Sequence, residues 1–215
     1  MRGLLLCVGI LLFGLNSAHA GESVTFKASL TNLTKGQVMT PPVLVVHQSS
    51  FSLFTLGEEA SDGLKAQSQD GVTDFLTVEL AANQSVNSYT VGDSGPILPG
   101  ETQEILFSGS RSAQLSVSSM LASTNDAFVS YRGFPLNFSL GEKQVVFLYV
   151  YDSGAETNNE LCTHIPGPPC GNPFVPTAGN EGYVHFHPGL GLQDDLDQVR
   201  AFANIAAKIE VERIK

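Results

Sequence analysis

Acidic residues follow two stretches of strand-like sequence, and their type and position are typical of metal ligands. Asp126 lies within residues 123–128, and Asp152 and Glu156 lie within residues 151–156. Neighbouring strands bring their ends together, so these carboxylates could converge at one end of a sheet, where carboxylate and carbonyl oxygens suit Ca²⁺. The alternative is that Asp126 and Asp152 only cap turns, as Asx residues commonly do.

Histidines form a second candidate set. His185 and His187 flank one residue in an extended segment, so both imidazoles are expected on the same face. His47 ends another predicted strand. Three imidazoles on one sheet could bind zinc or copper, as in a periplasmic metal carrier or a hydrolytic enzyme. The alternative is that they hydrogen-bond backbone or carboxylate groups near a sheet edge.

Motifs for covalent catalysis or phosphate binding are absent from the sequence. It contains no G-x-S-x-G, no H-E-x-x-H and no phosphate-cradling glycine loop. The segment GDSG at residues 92–95 is similar to a serine-protease nucleophile motif, but PILP follows it and no supporting histidine motif precedes it. The sequence therefore favours a binding protein over an enzyme.

Strand-like periodicity dominates the elements that must position these groups. Residues 24–30 alternate apolar and polar side chains, which predicts a half-buried strand. Further strands are predicted over residues 43–46, 51–56, 101–108, 114–121, 144–151, 182–187 and 205–214. Short helices are predicted over residues 60–69, 73–83 and 194–204, with Ser61 or Thr73 as an N-cap. Without regular strand–helix alternation, these elements predict an all-β, antiparallel sandwich with one to three short helices.

The amino-terminal segment predicts export. Arg2 precedes an apolar run over residues 4–14, and Ala18 and Ala20 form an A-x-A cleavage pattern. The apolar run is too short to span a bilayer comfortably. We therefore expect a signal peptide over residues 1–20, a mature domain over residues 21–215 with no transmembrane segment, and a secreted or periplasmic location.

Net charge limits the classes of binding partner, and the cysteines predict a disulfide. The net charge of −10 argues against binding nucleic acid or an anionic membrane, and is compatible with cations, basic partners or simple solubility. Cys162 and Cys170, with seven residues between them in an exported chain, predict a disulfide that closes a small surface loop. A zinc site with His164 is disfavoured because no second ligand pair has zinc-like spacing.

Seven segments match one known family in order and spacing. They are NLTKGQ (32–37), PPVLVVHQSS (41–50), LFTLG (53–57), GDSGPILPG (92–100), STNDAFV (123–129), YDSGAE (151–156) and EGYVHFHPG (181–189). Together they resemble the spondin N-terminal domain family of F-spondin, mindin and bacterial exported proteins. The resemblance covers nearly the whole predicted mature chain.

The resemblance implies an eight-stranded, C2-like antiparallel sandwich with a calcium ion held by loops at one end. By motif, the calcium ligands are Asp126, Asp152 and Glu156, and Glu156 stands where animal members have an aspartate. The resemblance thus favours metal binding over turn capping. Animal members bind cell-surface receptors and microbial surfaces, so a module for extracellular adhesion or recognition of a protein or glycan is implied.

Overall fold

The computed structural model describes residues 23–191 and 195–215, and these residues form an antiparallel β structure with two short α-helices. This confirms the predicted all-β sandwich with one to three helices. The elements are β1 (Ser23–Asn32), β2 (Val43–His47), α1 (Asp62–Asp70), α2 (Asp74–Ala82), β3 (Val86–Val91), β4 (Thr102–Ser110), β5 (Gln114–Met120), β6 (Ala127–Pro135), β7 (Lys143–Asp152), β8 (His185–Phe186) and β9 (Ile205–Arg213).

Eight strands form one continuous path in the order β3-β2-β5-β6-β7-β9-β1-β4, and every neighbouring pair is antiparallel. The two-residue strand β8 pairs with the end of β7. Only residues 127–130 of β6 pair with residues 149–152 of β7. Beyond this junction β6 pairs with β5 and β7 pairs with β9, so two four-stranded layers are joined at one end.

The main core lies between the two layers. In β1 the alternating residues Val24, Phe26, Ala28 and Leu30 are all buried, as the sequence periodicity predicts. The Phe26 ring stacks on Phe107 of β4 with 5.2 Å between ring centroids. These two rings belong to neighbouring strands of one layer, and burying an aromatic side chain of this kind contributes about 1.5–3 kcal/mol.

A second apolar cluster covers the other face of the β2–β5–β6 layer. Val43 and Val45 of β2 pack there against Leu64 of α1 and Leu76 of α2. This explains why all five residues of β2 are buried, since one face of the strand meets the main core and the other meets the helices. The Ser61 hydroxyl caps α1 by accepting a hydrogen bond from the backbone N–H of Leu64, as predicted.

Four local predictions differ from the structure. Residues 51–56 form no strand, although Leu53 and Phe54 are buried against the second cluster. Strands β3 and β6 are additional to the predicted strands. Of the strand predicted over 182–187, only His185–Phe186 forms. In the described part of 194–204, the regular structure is one 3-10 turn at Gln198–Arg200.

The predicted disulfide between Cys162 and Cys170 is confirmed. The signal-peptide prediction over residues 1–20 lies outside the described residues. Within the described ranges, neither helix has the length and apolar character needed to cross a membrane.

Removing the disulfide is expected to cost about 2–3 kcal/mol, because the bridge closes a loop with a sequence separation of eight and restricts the unfolded chain. A Cys162→Ser/Cys170→Ser double variant should therefore melt about 5–10 °C below the wild type in a calorimetric scan. Wild type in reductant should match the untreated double variant. Melting of the double variant within about 1 °C of oxidised wild type would show that the bridge contributes little.

Candidate functional site

The junction between β6 and β7 brings Asp126 and Asp152 together. Ala127, the residue after Asp126, is the antiparallel partner of Asp152. The backbone N–H of Ser153 also faces the backbone carbonyl of Asp126, at 3.4 Å. Both aspartates have no exposed surface. The two strand-end segments therefore converge at the same end of the sandwich, as the sequence predicts.

The two carboxylate oxygens of Asp126 have different environments. Oδ2 accepts hydrogen bonds from the Ser153 hydroxyl at 2.8 Å, from Ala155 N–H at 2.7 Å and from Glu156 N–H at 3.1 Å. Oδ1 is buried and has no hydrogen-bond partner among residues 23–191 and 195–215. A buried charged acceptor without a partner is costly, so Oδ1 is a candidate cation ligand.

Burial and the neighbouring acid make ionisation of this pair unfavourable. Burial, followed by the charge of Asp152, raises the pKa of Asp126 to about 8, although the three donors to Oδ2 act in the opposite direction. Burial also raises the pKa of Asp152, against the hydrogen bonds from Asn158 and Gly154. A divalent cation beside the pair would remove this repulsion and favour the ionised carboxylates.

A tight turn after β7 fixes the Asp152 carboxylate. Oδ1 accepts a hydrogen bond from Gly154 N–H at 2.7 Å, and Oδ2 accepts one from Asn158 Nδ2 at 2.5 Å. Gly154 has φ +69°, and a Cβ atom there would collide with the backbone of Tyr183. Glycine is needed at this position both for its backbone conformation and for the close approach of the 183–185 segment.

Glu156 lies beside the aspartates, but its carboxylate has other partners. Oε1 accepts from Gln69 at 3.0 Å, and Oε2 is contacted by Asn125 Nδ2 at 3.4 Å and Thr177 N–H at 3.3 Å. Burial raises the pKa of this carboxyl. Its direct link to Asp126 is through the backbone N–H. Ligation of calcium by the Glu156 side chain stays a prediction.

The three predicted histidine ligands are not brought together. His47 pairs with Gln114 at the start of β5, whereas the aspartates lie beyond its other end, Met120. Strand β5 spans seven residues, so its two ends lie about 20 Å apart at the usual rise per residue. The His47 ring instead contacts Gln48 O and the Ser116 hydroxyl, each at 2.8 Å. His47 therefore cannot share an ion with His185 and His187.

His187 is close to Asp152 but is poorly suited to bind a metal. Its Nδ1 accepts a hydrogen bond from Gly189 N–H at 3.0 Å, which places the proton of the neutral ring on Nε2. Burial, followed by the charge of His185, lowers its pKa to about 4. The 3.9 Å approach of Nε2 to Asp152 Oδ2 is consequently not an ion pair at neutral pH.

His185 belongs to a cluster with Asp152 and Glu181. Its Nε2 is 2.6 Å from Glu181 Oε2 and 3.8 Å from Asp152 Oδ1. Burial opposes protonation of His185, but its hydrogen bonds with Phe186 O and Glu181 and the charges of Asp152 and Glu181 outweigh that effect and raise its pKa. One ligand atom from each of the three residues lies within 4.8 Å of the other two.

Two residues that contact Asp152 or His185, namely Glu181 and Asn158, were not identified as site residues from the sequence. The placing of Glu181 four residues before His185 is the one signal in the sequence that could have suggested the first. Asn158 has no motif of its own, and its amide reaches both Asp152 and Glu181 only because the loop after β7 turns back on itself.

Comparison with known proteins leaves the family open. No family model matches the sequence, and no curated protein matches it. The resemblance to the spondin N-terminal domain therefore stays a prediction that depends on the seven segments and the β-sandwich.

Proposed function

We propose that this chain is an exported, calcium-binding β-sandwich module for extracellular adhesion or recognition, with the ion at Asp126 and Asp152. The observation that carries the proposal is the buried Asp126 Oδ1, which lacks a hydrogen-bond partner in the described residues and belongs to a strand end that adjoins the strand end of a second buried carboxylate, Asp152. Ca²⁺ is the ion favoured by carboxylate and carbonyl oxygens supplied by loops.

Electrostatics support a cation at this position. The two aspartates belong to adjacent strand ends and have no exposed surface, so neither charge is stabilised by bulk water. Their raised pKa values are the consequence. A divalent ion would stabilise both ionised groups at once, whereas a hydrogen bond to either group would relieve only one of them.

The position of the ion also suggests how it would serve recognition. The segments that surround the aspartates carry exposed aromatic side chains, including Tyr183 and Phe186, whose side chains are about half exposed. Exposed aromatic residues are common in protein-binding surfaces. An ion that fixes the strand ends would keep these loops in one conformation for a protein or glycan partner. The disulfide supports an oxidising, extracytoplasmic location.

The test is a calcium-dependent melting curve of metal-stripped protein. At a calcium concentration about 100 times the dissociation constant, binding to the native state alone adds about 2.7 kcal/mol, which should raise the melting temperature by about 5–10 °C. Asp152→Asn should abolish the rise. Asp93→Asn, at an exposed acid outside the site, is the matched control and should retain it. Equal melting in calcium and in chelator would refute the proposal.

A further inference from the structure

Asp152 also belongs to a second group of metal-ligating side chains, whose other members, Glu181 and His185, the proposed calcium site does not use. The distances of 2.6 Å and 3.8 Å from His185 Nε2 to Glu181 Oε2 and Asp152 Oδ1 define this group. We propose that Asp152, Glu181 and His185 together bind a transition-metal ion of the zinc class.

A hydrogen bond at Nδ1 fixes the orientation of the His185 ring and leaves Nε2 as the nitrogen that can bind a metal ion. His185 Nδ1 is 3.0 Å from the backbone carbonyl of Phe186, which can only accept, so the Nδ1 atom carries a proton. Nε2 lies 2.6 Å from the Glu181 carboxylate, which can only accept, so in the metal-free protein Nε2 also carries a proton, and a bound ion would take the place of that proton. A backbone carbonyl on the other ring nitrogen is the usual outer contact of a metal-binding histidine. The nitrogen ligand favours zinc over calcium.

One amide orients both carboxylates. Asn158 Nδ2 donates to Asp152 Oδ2 at 2.5 Å and to Glu181 Oε1 at 3.3 Å. These contacts hold the outer oxygen of each carboxylate and leave Asp152 Oδ1 and Glu181 Oε2 on the side of His185 Nε2. Glu181 and His185 are thus fixed through an atom other than the one that would bind the ion, whereas Asp152 Oδ1 also accepts a hydrogen bond from Gly154 N–H at 2.7 Å and would bind the ion through its other lone pair.

The distances between the three ligand atoms fit a small ion if the side chains move by less than about 1 Å on binding. Zinc binds nitrogen and oxygen at about 2.0–2.2 Å, so ligand atoms in a tetrahedral site lie about 3.4 Å apart. The observed separations of 2.6 and 3.8 Å lie on either side of that value. The side chains of His185 and Glu181 are 26% and 29% exposed, so the ion can enter from solvent. Three protein ligands leave a fourth position for water or for an atom of a partner.

The competing interpretation is an ion pair only, in which a proton on His185 Nε2 takes the place of the metal. The test uses metal-stripped protein without a histidine tag, titrated with zinc against a chromophoric chelator. Wild type should bind one zinc per chain. His185→Gln should weaken binding by about 100-fold, and Asn158→Ala by about tenfold, since loss of an outer contact typically costs 10–100-fold.

Two controls separate this site from surface histidines and from the calcium site. His164→Gln changes a histidine that contacts Val175 O in a different loop, and it should leave zinc affinity unchanged. Asp126→Asn should abolish the calcium response and keep zinc affinity within about threefold. His185→Gln should do the reverse. The zinc proposal does not require calcium binding, although Asp152 is common to both sites.

A visible absorption band from bound cobalt gives a second readout, since Co²⁺ can replace zinc at nitrogen and oxygen ligands. The band should appear in wild type and in His164→Gln and be lost in His185→Gln. Circular dichroism checks that each variant is folded. No zinc binding at 100 times the protein concentration, or undiminished binding by folded His185→Gln, would overturn the proposal and leave an ion pair only.

Discussion

Replacing Asp126 with Asn is expected to stabilise the metal-free protein and to abolish its response to calcium. The side-chain oxygen of Asn can still accept the hydrogen bonds from Ser153, Ala155 and Glu156, because it has the shape of the carboxylate it replaces. What disappears is a buried acid that, with a pKa of about 8, must either keep a proton that the unfolded chain releases or carry a buried negative charge. Relief of such a group is worth on the order of 1–3 kcal/mol, so the melting temperature in chelator should rise by several degrees.

The gain should depend on pH in a defined direction. Asp126 has a folded-state pKa of about 8, above the ordinary value of 3.8. Ionisation therefore costs folding free energy that begins to accumulate above pH 3.8 and is complete only above pH 8. The advantage of Asp126→Asn in chelator should be near zero at pH 4 and largest at pH 8. The matched control is Asp93→Asn, which removes an exposed acid outside the site; an equal gain with pH in both variants would show that the effect is not specific to Asp126.

Two results for Asp126→Asn would contradict this prediction. Folded Asp126→Asn protein that still gains stability from calcium would show that Oδ1 is not a ligand. A variant that is less stable than wild type at pH 8 in chelator would show that the aspartate charge is already compensated in the metal-free protein.

Truncation of Phe128 should cause the largest loss of stability among these changes. Its ring is fully buried two residues after Asp126, and it packs against Phe54 and Tyr151 with centroid distances of 5.2 and 5.7 Å. Phe128→Ala should cost about 3–5 kcal/mol, the usual range for buried Phe→Ala. That is a large share of the 5–15 kcal/mol typical of a domain.

Urea denaturation in chelator gives the measurement, with Phe75→Ala as the matched control. Phe75 of α2 is 63% exposed, so its truncation should change the unfolding free energy by about 0.5 kcal/mol or less. Because Phe128 holds the β6–β7 junction, its loss should also weaken calcium binding. A loss for Phe128→Ala within about 1 kcal/mol of that for Phe75→Ala would contradict this account of the second cluster.

Local sequence predicted six of the eight strands in the path and missed β3 and β6. In β1 the alternation of apolar and polar residues along the sequence matches the alternation of buried and partly exposed side chains. Strand β3 (Val86–Val91) is largely polar and exposed at the edge of the sheet, so it carries little apolar signal. Residues 51–56 are apolar because Leu53 and Phe54 pack under the helices, and apolar character alone does not distinguish a strand from a packed loop.

The candidate site was predictable to the extent that it depends on strand ends. Asp126 and Asp152 meet because each lies at an end of two paired antiparallel strands. The roles of Glu181 and Asn158 depend on how a long loop folds back over β7, which no short motif encodes. His47 was misplaced in the three-histidine set because its register on β5 puts it at the far end of the layer.

Direct calcium stoichiometry tests the central claim most directly. Metal-stripped protein is dialysed to equilibrium against calcium, and bound metal is counted by elemental analysis beside Asp126→Asn and Asp93→Asn. One calcium per chain is expected in wild type and in Asp93→Asn, and none in Asp126→Asn. Wild-type protein that retains no calcium, or equal retention by all three proteins, would contradict it.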